Sequence, residues 1–195
     1  MPSLRLPVIP AGRLARTAQP VVPVDAELEL RPWVEADAGA VIAAYADPAI
    51  RQWHARTVDD EAEALGIIEA WQGMWAEETG AAWAVAARAD GAVLGRMSLR
   101  DLSLTEGLAE IGYWTLPPAR GRRVASRALT AAVAWAFDDL GLHRLRLLHA
   151  VRNEASCRVA ERCGFRAEGT ERSSLLHQDG WHDMHLHGRV STRMA

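Results

Sequence analysis

Lysine is missing: all 22 basic residues of the 195-residue chain are arginine. Schiff-base and other lysine-borne covalent chemistry is thereby excluded. Cysteine is scarce, with Cys157 and Cys163 alone. Six residues apart on one expected helix, their Cα atoms lie about 9 Å apart at a rise of about 1.5 Å per residue. A disulfide spans less than about 7 Å, so both thiols are expected free, as in a reducing compartment. No run approaches the roughly 18 apolar residues that cross a bilayer. Pro2, Pro7, Pro10, Pro20 and Pro23 interrupt the N-terminus, which therefore does not read as a signal peptide. An excess of positive charge is absent too. The formal net charge is −3, whereas nucleic-acid and membrane-surface binding draw on clustered positive charge. The expectation is a cytoplasmic protein that partners neither nucleic acid nor membrane.

What is present is ordinary globular material, 49% hydrophobic and 24% charged, enough for one domain with a sizeable core. Glu27 to Arg31 alternates polar and apolar, a strand ended by Pro32. Asp37 to Ala46 reads as a helix with Pro48 just past its end. Asp59 or Asp60 caps a second helix, running through Leu65, Ile68 and Trp71 towards Trp75. Strands follow at 83–87, 93–100 and 108–116, the first two joined by a turn at Asp90-Gly91. A long helix at 124–140 has Gly141 at its C-terminal cap. Then come a strand at 143–149, a short helix from Asn153 to Gly164, and strands at 165–176 and 181–190 joined at Asp179-Gly180. This order predicts a single mixed α/β domain at 26–192. Residues 1–25 precede it as a proline-rich arm that packs on the domain or is partly disordered.

The densest chemical signal is Glu110-Ile111-Gly112-Tyr113-Trp114-Thr115-Leu116, then Pro117-Pro118-Ala119, then Arg120-Gly121-Arg122-Arg123-Val124-Ala125. A strand runs into a basic, glycine-containing turn and then into a helix. The N–H groups at a helix start lack intrahelical partners and sit at the positive end of its dipole, which makes an anion site. The same residues also serve as a solvated basic turn, and the turn alone does not separate the two. Downstream, Asn153-Glu154-Ala155-Ser156 opens a helix that closes at Arg162-Cys163-Gly164-Phe165. Asn153 fits a plain N-cap and Gly164 a C-cap.

Taken in order, Leu30-Arg31-Pro32, Glu110 to Trp114, Arg120 to Ala125, Asn153-x-x-Ser156 and Gly164-Phe165 resemble the GCN5-related N-acetyltransferases. The branch they look most like contains the ribosomal-protein N-terminal alanine acetyltransferases. The resemblance implies a mainly antiparallel sheet flanked by helices, in which strands 4 and 5, here 108–116 and 143–149, splay apart. It implies acetyl-CoA as cosubstrate. The pantetheine arm would lie against Trp114, Thr115 and Leu116. The pyrophosphate would lie on N–H groups of Arg120, Gly121, Arg122, Arg123, Val124, Ala125 and Ser126. The family pattern is Arg/Gln-x-x-Gly-x-Gly/Ala. Arg120 and Ala125 fill its ends, but Arg123 stands where the middle glycine is usual. A helical backbone at 123 would make that arginine inexpensive, whereas glycine elsewhere permits close approach of a phosphate.

The resemblance also assigns roles. Glu110 matches a general base acting through a water, or else is an exposed strand glutamate. Ser156 matches the general acid for the leaving thiolate, and Asn153 a ligand of the pantetheine arm. A backbone N–H near Trp114 to Leu116 would bind the oxyanion. Transfer would be direct, leaving both cysteines as bystanders. Trp53, His54 and His149 are candidates for the acceptor side, although tryptophans also fill cores and His149 also fits a polar strand end. The acceptor is a protein N-terminus or a small amine, and homodimers are common in the family. A catalytically degenerate acyl-CoA-binding module is the alternative. No metal is expected: His185 and His187 share a strand face, His182 takes the other, and a closed zinc site needs four converging ligands.

Overall fold

Ala81–Ala87 reads AAWAVAA and is buried along almost its whole length. A strand covered on both faces belongs inside a sheet, and this one has neighbours on either side. The computed structural model describes residues 6–54 and 56–192. Its strands are β1 (Val22–Pro23), β2 (Leu28–Pro32), β3 (Ala81–Ala87), β4 (Val93–Ser103), β5 (Leu108–Thr115), β6 (Arg144–Ala150), β7 (Arg166–His177) and β8 (Gly180–Val190). They form one sheet in the order β1-β2-β3-β4-β5-β6-β8-β7. All neighbours are antiparallel except β5 and β6, which run parallel. That pair needs a crossover, supplied by α4 (Val124–Trp135) and the wider turn of helix at Ala136–Leu140.

Alternation along the strands splits the core into two layers. Ala81, Trp83 and Val85 pack with Met97, Leu99, Ile111 and the apolar side of α4. Ala82, Ala84 and Trp114 face Trp33 and three helices, α1 (Ala38–Ala46), α2 (Pro48–His54) and α3 (Glu61–Ala76). The remaining helix, α5 (Glu154–Arg162), lies with α4 and contributes Ala160 to the first layer. Among the described residues no helix is long and apolar enough to cross a membrane.

Two elements differ from the sequence reading. Pro48 ends α1, as expected, and also starts α2, which was not expected. Proline suits the first position of a helix because its missing N–H would be unbonded there anyway. Asp47 caps α2, accepting the Ile50 N–H on Oδ1 at 3.0 Å. Strand β1 lies inside the proline-rich arm and pairs with β2.

Residues 1–5 of that arm lie outside the described residues, while the rest of it is fastened to the domain. Val8 and Ile9 donate N–H groups to the carbonyls of Thr105 and Leu104 at 3.1 and 3.0 Å. The Glu78 carboxylate accepts N–H bonds from Gly12, Leu14 and Ala15 at 2.6, 2.7 and 3.3 Å, and these bonds hold its carboxyl below the usual range. Trp75 and Trp83 donate their indole N–H groups to the carbonyls of Thr17 and Pro20. Ile9, Leu14 and Val22 belong to the main core.

Candidate active site

Strands β5 and β6 pair from Leu108↔Arg144 to Ile111↔Leu147 and no further. Beyond that point β5 stays with β4 as far as Thr115, and β6 stays with β8 as far as Ala150. The sheet therefore forks. N–H directions alternate along a strand. Leu116 donates its N–H to the Leu94 carbonyl at 2.9 Å, on the β4 side. The N–H groups of Tyr113 and Thr115 therefore face the gap, and Leu116 is not available to an oxyanion there. At the root of the fork, buried Ser98 donates its hydroxyl to the Gly112 carbonyl at 3.0 Å. A Cβ at position 112 would stand 2.9 Å from that hydroxyl oxygen, so glycine is what allows the approach.

The chain leaves β5 through Pro117–Ala119 and enters the basic turn. Gly121 and Arg123 both adopt left-handed backbone, with φ of 76° and 59°. Position 123 is thus not helical, and the low-cost reading of its arginine is corrected: the family's glycine there answers a backbone need. Arg123 provides no side-chain cap to α4. The first N–H groups of α4, those of Val124, Ala125 and Ser126, point out of the helix start with its dipole behind them. Arg120 spans the turn, with Nη2 on Asp47 at 2.5 Å and Nε on the Thr115 carbonyl at 3.3 Å. That guanidinium holds the Asp47 carboxyl below its usual range.

Helix α5 closes the far side. The Asn153 side chain accepts the Ser156 N–H at 3.1 Å, the plain capping role. Ser156 Oγ lies 2.7 Å from the Tyr113 hydroxyl, and burial raises the Tyr113 pKa, so that hydroxyl keeps its proton at neutral pH. A cavity of about 540 Å³ runs between the turn, β5 and α5. Of the residues expected to hold the cofactor, its wall includes Trp114, Thr115, Arg120, Gly121, Arg123, Val124, Ala125, Ser126, Asn153 and Ser156. Leu116 and the exposed Arg122 are not on that wall.

A second cavity, of about 280 Å³, opens off the fork. It shares Trp53, His54, Tyr113, Asn153 and Ser156 with the first and adds Arg96, Arg100 and His149. Burial, then the charges of Arg96 and Arg100, lowers the pKa of His54 to about 4, so it is a neutral imidazole. Arg96 stacks over Trp71 at 4.5 Å, and its Nε is buried without a hydrogen-bond partner among the described residues. Burial lowers its pKa to about 10; Tyr45 acts against that shift, and the like charges of Arg100 and Arg56 add to it.

Glu110 is buried and lies on neither cavity wall. Its Oε1 pairs with Arg100, and its Oε2 is 3.6 Å from Arg146. It shares the Trp114 face of β5, opposite to Tyr113. His149 has both ring nitrogens engaged, Nδ1 with the Ala150 carbonyl at 2.9 Å and Nε2 with His187 Nε2 at 3.1 Å.

Tyr113, Arg96 and Arg100 were missed in the sequence. Alternation sets the face of Tyr113, but nothing local says that α5 lies over it. Arg96 and Arg100 sit opposite Trp114 and Glu110 across β4 and β5, a register that only the fold reveals. The absence of four converging metal ligands also needs revision. His149 from β6 and Cys157 from α5 join His185 and His187 in one cluster.

The acetyltransferase (GNAT) domain family matches residues 27–166. The provisionally named ribosomal N-acetyltransferase YdaF of Bacillus subtilis is 37% identical over 95 residues. That alignment covers 49% of this chain and 52% of YdaF, so the chain spans about half the length of that relative. An uncharacterized N-acetyltransferase of the same organism, YoaA, is 26% identical over 175 residues, 89% of this chain and 98% of YoaA. Among solved structures, RimL, a ribosomal L7/L12 alpha-N-protein acetyltransferase in complex with coenzyme A, superposes with a TM-score of 0.81 at 21% identity. The superposition covers 88% of this chain and 98% of that one, a likeness of fold. The fork, the arginine turn and the Ser156 helix all fall inside the matched span, and the chain belongs to the GCN5-related N-acetyltransferase (GNAT) family.

Proposed function

We propose that this chain is an acetyl-CoA-dependent N-acetyltransferase that passes the acetyl group directly to a primary amine, either a protein N-terminus or a small molecule. One observation carries the reading. The unpaired edge of β5 leads into a turn of outward N–H groups, and the Tyr113–Ser156 hydroxyl pair stands between the two cavities. The first cavity, with its anion-accepting turn, suits a long phosphate-bearing cosubstrate. The second suits the acceptor. When bound, acetyl-CoA supplies the thioester carbonyl that the amine attacks.

The chain's own groups divide the remaining work. Tyr113 or Thr115 N–H stabilises charge on the carbonyl oxygen as the C–N bond forms. Ser156, hydrogen-bonded to Tyr113, returns a proton to sulfur as the C–S bond breaks. Glu110 receives the amine proton through water from the opposite sheet face. Among the described residues Arg96 has no acceptor for its buried Nε, and a carbonyl or carboxylate oxygen beside the acceptor's amine meets that need. The ribosomal-protein names of several relatives favour a peptide amine.

A thiol-release assay across peptides and small amines, with mass spectrometry of the products, tests the reading. Acetylated product is expected. Tight acetyl-CoA binding without turnover on any amine would instead favour the degenerate binding module. Glu110→Gln should cut turnover with little change in acetyl-CoA affinity. Its pairing with Arg100 and Arg146 favours a second role, holding Arg100 at the acceptor cavity. In that case the variant raises KM for the acceptor and leaves the pH profile of kcat in place. Unchanged activity would remove Glu110 from both roles.

A further inference from the structure

The α4–α5 face of the sheet carries four side chains that no transfer step above uses, although one of them, His149, also lines the second cavity. One ligand-type atom each from His149, Cys157, His185 and His187 lies within 4.8 Å of the other three. Register brings them together. His149 on β6 is the cross-strand partner of His185 on β8, and His187 lies two residues further along the same face. Cys157 descends from α5, one residue after Ser156.

The His149 and His187 rings stack at 5.0 Å, and His185 stands edge-on to His149 at 5.4 Å. Nε2 of His149 and Nε2 of His187 are 3.1 Å apart, and Cys157 Sγ is 4.0 Å from the same His187 atom. Tetrahedral zinc, with bonds of about 2.0 Å to nitrogen and about 2.3 Å to sulfur, needs edges of about 3.3 Å between nitrogens and about 3.6 Å from nitrogen to sulfur. The separations of 3.1 and 4.0 Å fall within about 0.4 Å of these edges, while the group as a whole spans up to 4.8 Å and would draw in slightly around an ion. The Ala150 carbonyl takes the Nδ1 proton of neutral His149, which turns the Nε2 lone pair into the cluster, the usual outer partnership of a metal-ligating histidine.

We infer that His149, Cys157, His185 and His187 form a closed four-coordinate site for a divalent transition ion, zinc by its ligand set, that fastens α5 to β6 and β8. Imidazole and thiolate donors without a carboxylate disfavour magnesium and calcium. Four protein ligands leave no open position, which makes the site structural. On binding, Cys157 loses its thiol proton to solvent as the metal–sulfur bond forms. Because the thiol must ionise before it can ligate, affinity rises with pH. The helix so fixed is the one that presents Asn153 and Ser156.

The full-length chain, stripped with a chelator, is titrated with Co²⁺. One equivalent should bind, with the visible bands of tetrahedral cobalt and a near-ultraviolet thiolate-to-cobalt band, and Zn²⁺ should displace it. Cys157→Ser should abolish the thiolate band and weaken Zn²⁺ binding roughly 100-fold. His185→Ala should weaken binding similarly. Cys163→Ser should leave band and affinity unchanged, since Cys163 lies apart and donates to the Ser126 carbonyl. Circular dichroism separates a lost ligand from a lost fold. If Cys157→Ser does not fold, a thiolate band persisting in Cys163→Ser supports the site by itself, because no third cysteine exists. Absence of the band in the unaltered chain, or affinity that survives both ligand substitutions, overturns the inference.

Discussion

Arg123 holds a left-handed backbone that costs a non-glycine residue roughly 1–2 kcal/mol, and it does so in the basic turn that opens α4. Glycine would remove that strain while adding about 0.5–1 kcal/mol of chain entropy to the unfolded state. Arg123→Gly is therefore expected to raise unfolding free energy by about 0.5–1 kcal/mol in a urea titration. Calorimetry with coenzyme A should show similar or modestly weaker affinity, because the backbone N–H groups stay in place. A collapse of binding would make the Arg123 side chain a main phosphate ligand. The sequence marks 123 as a departure from the family pattern, but its φ is written nowhere in the residue types. The same limit hides Tyr113: its hydroxyl matters only because Ser156, 43 positions away in the chain, lies 2.7 Å from it.

At the scale of elements, the N-terminal segment behaves as part of the fold. Leu14 is 1% exposed and packs in the main core, with the Glu78 carboxylate holding its backbone. Leu14→Ala should cost about 2–4 kcal/mol, measured by denaturant unfolding. A loss below about 0.5 kcal/mol, typical of exposed sites, would mean the segment is only loosely attached. Periodicity revealed most strands and helices here, because half-buried strands alternate and amphipathic helices repeat. It could not reveal β1, which is only two residues long, or α2, whose opening proline reads equally well as the stop of α1. The basic turn before α4 and the Asn153 cap of α5 were legible as local structure, because each is built from neighbouring residues. The histidine–cysteine cluster was not, because β6, β8 and α5 each contribute a part.

For the molecule as a whole, buried histidines set the response to acid. The folded-state pKa of His54 is about 4, against 6.5 for the free side chain. Between these values the unfolded chain binds more protons, so stability falls with falling pH. The contribution is fully present above pH 6.5 and is lost as pH drops towards 4. It amounts to on the order of 3 kcal/mol for His54 alone. His149, His177 and His187 are shifted in the same direction by burial. Without added metal, the urea midpoint should therefore drop steeply between pH 6.5 and 4.5. His54→Gln, which cannot titrate, should flatten part of that slope. A midpoint independent of pH across the window would contradict the burial of these rings in solution.

Asp47 caps the helix that brings Trp53 and His54 to the second cavity, and the same carboxylate grips Arg120 at the mouth of the first. A phosphate that competed for Arg120 would loosen that grip and change the charge at the start of α2. Whatever free energy passes across this joint is shared equally in both directions. With the cosubstrate and acceptor proposed above in the two cavities, each is expected to alter the affinity of the other and so to report on its presence before any bond is made.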